Sequence, residues 1–590
     1  MNINKHIFEA NPVSLDISRS KFDLSHGWKG TFNTGLAVPM LAYSDILPGS
    51  TWKLSASCVI RSTTPVAPVM DTAYADVYFF FVPHKLTLSR EMMSPAVDNA
   101  SRSWAAFIGA QDSLLNMPLP GDVRLPGISF GKIDRIDGAY VESGFSTGSL
   151  ADYLALPDFA GTFPAATGPR FMNCLEPLAY YSVWNSYFRD PSTTNPISFT
   201  ITSDTLYGGN PRIVLNGAPV NGYWSIGDPE CVLPVSRFHG YFGSALPWPQ
   251  RNSTEVTLPL GDSAPVIPSG SIAYGDDTLV LGSNISGGGI SSYGFPIAPS
   301  SMDPGDSWVN PPSPETYGSV NGTNLKADLS AATAASVNAL RFAVQAQRWY
   351  EALARGGNRL DEMTASMFGV TPSDAGTGRP EYLGGKRIMI NVQQVENTAG
   401  TTESTVSQMA IGSTGAYSLT TDNDRYFTKS FDTWGSVIGI VCVRTAESFH
   451  QGLARRHSRF DRFDFYWPQF ANLGEQPIKN KEIYMDGSAD DEKPFGYQEA
   501  WAEYRFFPDS VTGLARPGSN QAYWTYANNF TSRPNLKDYL DASNQKANVD
   551  RTLQVPSEDA GFQWLADFHF DIQAVLPMPT YSIPGLVDHH

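Results

Sequence analysis

The sequence is short of cations, thiols, membrane-length apolar runs and internal repeats, and each shortage closes off a class of function. There are 41 Lys and Arg against 58 Asp and Glu, a formal net charge of −17. A chain that binds nucleic acid over most of its surface is normally basic. Any such contact here must be local, or be supplied by another protein. Only four cysteines occur in 590 residues. Cys58, Cys174, Cys231 and Cys442 lie far apart, with no CxxC pair and no Cys–His metal spacing. That pattern points to reduced, mostly buried thiols and away from a disulfide framework or a zinc site. No window approaches the ~18 apolar residues of a membrane span. The opening stretch MNINKHIFEANP also lacks the apolar centre of a secretory signal, so neither export by that route nor membrane insertion is expected. No segment recurs at a fixed period, which disfavours solenoids and propellers.

Catalytic signatures are equally scarce. Gly144-Phe-Ser146-Thr-Gly148 matches the G-x-S-x-G nucleophile elbow. That chemistry needs a strand entering the serine and a helix leaving it inside a βα pattern. The flanks fit loosely, so a glycine-rich turn is expected. Gly384-Gly385-Lys386 is no phosphate loop, because Pro380 stands where the first glycine belongs and Arg387 where Ser or Thr belongs. There is no H-E-x-x-H, and the nine histidines are scattered. Asp486, Asp490, Asp491 and Glu492 lack EF-hand spacing and are read as a solvated turn, with a weakly held cation as the alternative. No catalytic residue, metal ligand or cofactor is assigned.

What the chain does have is aromatic and turn-forming material. Aromatics make up 12% of the residues, and 51 Gly plus 43 Pro favour short strands joined by long loops. Strands are expected at Trp52–Arg61, Asp76–Pro83, Arg387–Gln393, Gly435–Arg444, Ala502–Phe507 and Trp564–Asp571, all rich in β-branched or aromatic residues. Two helices interrupt them. One opens at Glu176-Pro177 and closes at Asp190-Pro191, with Tyr180, Trp184, Tyr187 and Phe188 forming one apolar stripe best explained by core packing. The other runs from Ser330 to Arg355 and stops at Gly356-Gly357. Between them, residues 259–325 hold 32 Gly, Ser or Pro among 67, six acidic side chains, and no Lys, Arg or His. Anchors such as Tyr274, Phe295 and Trp308 suggest an elaborated surface insertion more than a free linker.

One basic cluster stands against the acidic background. Arg444, Arg455, Arg456, Arg459 and Arg462, with His457 and His450, interleave with Phe460, Phe463, Phe465, Tyr466 and Trp467. Guanidinium groups neutralise phosphates and aromatic faces stack on bases, so this is a candidate single-stranded DNA contact. The other reading pairs these arginines with carboxylates inside the subunit or at subunit contacts. Both remain open at this point.

An ordered series of motifs carries a family resemblance. It begins with Phe22-Asp-Leu-Ser-His26, Thr31-Phe-Asn33, Leu47-Pro-Gly49, Thr64-Pro-Val-Ala-Pro-Val-Met-Asp71 and Phe79-Phe-Phe-Val-Pro83. It continues through Tyr241-Phe-Gly-Ser-Ala-Leu-Pro-Trp-Pro-Gln250, Ala354-Arg-Gly-Gly-Asn-Arg359 and Arg379-Pro-Glu-Tyr-Leu-Gly-Gly385. Asp461-Arg-Phe-Asp-Phe-Tyr-Trp-Pro468, Gly474-Glu-Gln476, Asn480-Lys-Glu-Ile-Tyr484 and Ile583-Pro-Gly-Leu-Val-Asp588 complete it. In order and over nearly the whole length, these resemble major capsid proteins of the gokushovirus branch of the Microviridae, small bacteriophages with single-stranded DNA. The resemblance implies a mainly β fold, a single eight-stranded antiparallel jelly roll (a viral capsid β-sandwich) with long loop and helical insertions. It further implies a homo-oligomeric T=1 icosahedral shell of sixty copies around a circular genome, assembled in the host bacterial cytoplasm. The insertion at 259–325 would then form an external protrusion contacting the host cell surface. Implied partners are an internal scaffolding protein, a DNA pilot protein and a small basic DNA-packaging protein. An enzyme is not expected. A secreted carbohydrate-binding or carbohydrate-active jelly-roll protein is the rival reading, disfavoured by the missing signal and the ordered motifs.

Overall fold

The computed structural model describes residues 18–88, 125–136, 139–159, 161, 163–164, 170–205, 211–216, 225–250, 266–268, 325–327, 337–355, 359–370, 373–374, 378–396 and 414–581. Its backbone is set by period-two burial. In Thr51–Ser62, every second side chain (Trp52, Leu54, Ala56, Cys58, Ile60) is buried, and Trp564–Leu576 buries Trp564, Ala566, Phe568, Phe570 and Ile572 in the same rhythm. Strands patterned this way bury one face and wet the other.

Two large antiparallel sheets result. Their strands are Ser20–Asp23 (β1), His26–Phe32 (β2), Val38–Ile46 (β3), Thr51–Ser62 (β4), Ala73–Pro83 (β5), Glu381–Met389 (β6), Thr420–Ser430 (β7), Gly435–Thr445 (β8) and Trp564–Leu576 (β9). The first sheet runs β1-β9-β4-β7, with β2 also paired to β9. Because β1 takes Gln573–Leu576 and β2 takes Trp564–Phe570, the two follow one another along a single edge. The second sheet runs β6-β5-β8-β3. Long register matches hold both together, from Trp564↔Ser62 to Val575↔Thr51 in one and from Gly435↔Pro83 to Thr445↔Ala73 in the other.

The sheets pack face to face through aromatic side chains. Phe79 of β5 stands 6.3 Å from Phe570 of β9 at 90° and 6.0 Å from Phe427 of β7, while Phe81 lies 4.5 Å from Phe431. Such pairs add about 0.5–1.5 kcal/mol each beyond the area they bury. Strand β8 is buried along nearly its whole length, because the second sheet is covered on its outer face too. The cover is the helix Leu175–Val183 (α1), which continues into a π-helical turn, Trp184–Phe188. There Tyr187 and Phe188 meet Phe80 and Tyr78 at 4.6 and 5.7 Å. The expected apolar stripe of this helix is therefore core, with Tyr180 and Trp184 also donating to the carbonyls of Ala37 and Pro234 at 2.8 and 2.7 Å.

The fold is mainly β and antiparallel, a jelly-roll-type sandwich, and the strands around Trp52, Asp76, Gly435 and Trp564 all join it as the sequence suggested. Two strand expectations need correction. Arg387–Gln393 is not one strand: β6 ends at Met389 and a separate hairpin strand starts at Val392, paired with Thr414–Ser418. Ala502–Phe507 is not a strand at all. Trp501 turns into the left-handed region (φ +66°) after the hairpin strand Pro494–Glu499, and Ala502–Tyr504 forms a 3₁₀ turn. Among the described residues its aromatic pattern has no neighbouring strand to satisfy a ladder, so β propensity alone does not decide the conformation.

By compactness the chain divides into one unit of Met1–Arg251 with Glu351–His590 and a second of Asn252–Tyr350. Within the 259–325 segment and its flank, the described residues are Val266–Pro268 and Leu325–Ala327, which pair antiparallel; the remainder of the expected insertion lies outside the described residues. The second helix is seen as Val337–Arg355 (α2), and its expected start at 330–336 also lies outside them. No helix among the described residues is long and apolar enough to cross a membrane.

Candidate subunit or nucleic-acid interface

The basic cluster sits on a small second core. Tyr241, Phe242, Ile478, Ile483, Phe495, Leu536 and Tyr539 pack together beneath a hairpin of Glu475–Lys479 and Pro494–Glu499. Above it, residues 454–473 run through three 3₁₀ turns, Arg455–Ser458, Arg462–Asp464 and Pro468–Phe470. Local polar groups fix them. The Asp464 carboxylate accepts from the backbone N–H groups of Phe460 and Asp461 at 2.9 and 2.8 Å, and the Trp467 indole donates to the Arg462 carbonyl at 2.8 Å. Those backbone bonds, first among several causes, hold the Asp464 carboxyl below the usual carboxylate range.

The structure splits the cluster in two. Arg444 lies on β8 and is only 12% exposed at its side chain. It pairs with the buried Asp76, donates to the Ser236 carbonyl at 3.0 Å and stacks 4.3 Å from the Phe238 ring. Arg455 is held against Glu482 at 3.3 Å and Glu503 at 3.7 Å, and Arg459 against Glu503 at 2.8 Å. Burial pushes the Glu482 carboxyl up, opposed by Arg455 and by the Tyr241 hydroxyl that donates to it at 3.0 Å. These three arginines serve the subunit's own structure.

Arg456, His457 and Arg462 face solvent. Among the described residues neither Arg456 nor Arg462 has a carboxylate within ion-pair distance; Arg456 donates to His457 at 3.1 Å and covers the Phe507 ring at 4.5 Å, and Arg462 covers Phe463 at 4.9 Å. Around them the aromatics are open to solvent: Phe460 is 92% exposed, Phe507 75%, and Phe463, Phe465, Tyr466, Trp467 and Tyr504 between 45% and 54%. Its middle is linked by edge contacts, with Tyr466 6.1 Å from Tyr504 and 5.7 Å from the buried Trp501, and with Arg459 over Tyr504 at 4.1 Å and over Phe465 at 5.8 Å. Tyr504 and Phe507 were not among the expected site residues, because reading 502–507 as a strand hid their exposure.

The sequence profile of a phage family described as capsid protein (F protein) matches residues 11–108 and 140–586. The chain belongs to this family of phage capsid proteins. It is 33% identical to capsid protein VP1 of Chlamydia phage 1 over 634 residues, covering 99% of this chain and 98% of that protein. Identity is also 33% to capsid protein VP1 of Bdellovibrio phage phiMH2K, over 99% of this chain and 98% of that one. The corresponding protein of Spiroplasma virus 4 is 32% identical, over 97% and 96%. The gokushovirus-type resemblance read from the ordered motifs is thereby borne out. A capsid protein works in many copies as part of a virion shell, so an exposed apolar surface on one chain is also a surface available to its neighbours.

The other motifs fit a structural role in such a capsid protein. A strand, Ala139–Ser143, does precede the Gly144–Gly148 turn, and a one-turn helix, Leu150–Tyr153, follows it. That is nearer the elbow layout than the flanks suggested. The polar groups there close the turn: the Ser146 N–H donates to the Gly227 carbonyl at 2.9 Å, and Asp152 accepts from Gly148 N–H at 2.8 Å. The acidic set is held by protein cations. Arg533 reaches Asp486 at 2.6 Å, Asp491 at 2.9 Å and Asp490 at 3.5 Å, and Glu492 pairs with Lys479 at 2.7 Å and with Lys481. Among the described residues no group of His, Cys, Asp and Glu is arranged to hold a metal.

Proposed function

We propose that this chain is the major shell subunit of a T=1 icosahedral phage particle, sixty copies enclosing a circular single-stranded DNA genome. The observation that carries the reading is the end-to-end match to capsid proteins of similar length, joined to a jelly-roll-type sandwich whose long connections leave much loop surface for neighbours. Assembly takes place in the bacterial cytoplasm with an internal scaffolding protein and a DNA pilot protein.

Charge argues for one further partner. At −17 per chain, sixty copies carry roughly a thousand negative charges facing a polyanion. A small basic packaging protein supplies most phosphate neutralisation, and Arg456, His457 and Arg462 are the cluster members left to make any local contact. The acidic, Gly/Ser/Pro-rich stretch 259–325 suits the outside of the shell, as a threefold protrusion that meets the host surface. Charge-detection mass spectrometry of particles from co-expression tests the whole reading. The expected shell mass is about 3.9 MDa, sixty times 64.4 kDa. A different copy number would overturn the T=1 assignment, and mild proteolysis that spares 259–325 while cutting interior segments would overturn the protrusion.

A further inference from the structure

We infer that the aromatic surface of residues 456–473, Tyr504 and Phe507 is a docking face for a second copy of this chain, and not the genome's binding groove. The inference rests on the shell reading and adds which face of the subunit a neighbour covers.

Area is the first argument. At ~200 Å² per aromatic residue, the exposures of Phe460, Phe463, Phe465, Tyr466, Trp467, Tyr504 and Phe507 amount to roughly 800 Å². That is about one partner's share of a standard interface, ~800 Å². The residue types are those enriched in interface centres, namely Phe, Tyr, Trp and Arg.

Charge is the second argument, and it chooses between occupants. A single-strand groove is positively charged along its length. Here Arg459 is already neutralised by Glu503, which leaves Arg456 and Arg462 against the exposed Asp461 and Asp464, a balance of zero among these four side chains. A surface with both signs and a wide apolar middle matches another protein face, where each charge can find an opposite at the rim. A polyanion would gain little from it.

The test is hydroxyl-radical footprinting of free subunits, empty shells and DNA-filled shells, read by mass spectrometry. Oxidation of Phe460, Trp467 and Phe507 should fall about five-fold on assembly, equally in empty and filled shells, as burial in a standard interface requires. The paired substitution Phe460→Ser and Phe507→Ser, both at exposed positions, should leave the far-ultraviolet dichroism and unfolding midpoint of the free subunit unchanged. It should also leave the subunit unassembled in sedimentation velocity. Protection in filled but not empty shells would assign the face to DNA and overturn the inference. Full reactivity in both shells would overturn it as well, leaving the shell reading intact. A wild-type chain that forms no oligomer with its co-expressed partners would instead bring down the shell reading and this inference together.

Discussion

Replacing Arg444 by Gln tests whether this guanidinium is an internal strut or a contact for DNA. Asp76, 1% exposed, lies on β5 between Arg387 of β6 and Arg444 of β8. Arg387 binds it with two bonds of 2.7 and 3.3 Å but is 49% exposed, whereas Arg444 is 12% exposed. Three costs follow from burial. Asp76→Asn strips a buried guanidinium of its carboxylate and should destabilise the subunit by about 3–5 kcal/mol. Arg444→Gln leaves Asp76 with Arg387 but removes buried, charge-assisted bonds, a loss of about 2–3 kcal/mol. Arg387→Gln removes a solvent-screened pair and should cost at most about 1 kcal/mol. The urea midpoint of free subunits, followed by tryptophan fluorescence, should therefore fall in that order. An Arg444→Gln subunit that unfolds at the wild-type midpoint but binds single-stranded DNA more weakly would refute the reasoning, because Arg444 would then be a nucleic-acid contact and not an internal strut.

Burial pushes the Cys58 thiol up to about 11 and those of Cys174, Cys231 and Cys442 up to about 12, so Ellman's reagent at pH 8 should label none in native subunits and all four after denaturation. Arg533→Gln frees Asp486 and Asp491 from their counter-cation, leaving Asp490 with Lys493 at 2.7 Å, and millimolar calcium should then raise the melting temperature of the variant but not of the wild type; equal responses would show that Arg533 does not occupy a cation's place. Hydrogen bonds from Lys479 and then Lys481 pull the exposed Glu492 carboxyl down from 4.5 to about 2. Its folded pKa is depressed, so its contribution is complete above the unfolded value and fades as pH falls toward 2. The melting difference between wild type and Glu492→Gln should accordingly be present at pH 6 and gone near pH 2.

The strands of the sandwich were legible because burial in a sheet writes a period of two into the sequence. Trp564–Leu576 shows it cleanly, and the dense aromatics of Ala73–Pro83 signal burial on both faces. The limits of α1 together with its π-helical turn, Leu175 to Phe188, were legible from proline placement. What could not be read was the fate of each arginine. Arg444 finds Asp76 across 368 positions and Arg459 finds Glu503 across 44, and no local pattern distinguishes them from Arg456, which finds no carboxylate among the described residues. Reading 502–507 as a strand failed for a related reason. A run of Tyr, Phe and Arg is ambiguous until something supplies, or fails to supply, a partner strand. The same residues that look like a half-buried strand can form an exposed aromatic surface.

How a free subunit tolerates that surface bears on how a shell can use it. Seven open aromatic rings would ordinarily invite indiscriminate aggregation. Here guanidinium groups lie over four of them, Arg456 on Phe507, Arg462 on Phe463, and Arg459 on Tyr504 and Phe465, so part of the apolar area is shaded by a charged but weakly hydrated plane. The Asp464 carboxylate is already satisfied by the backbone N–H groups of Phe460 and Asp461, which holds Phe460 and the 3₁₀ turn that carries Phe463 in place before any neighbour arrives. Weakly hydrated arginines lose little when a partner excludes water, and a preformed loop loses little conformational entropy. The surface is thus kept soluble and held in shape by the same few side chains. That combination suits a subunit made singly and used in many copies: it lowers the cost of ordering at each contact without requiring the contact to be irreversible.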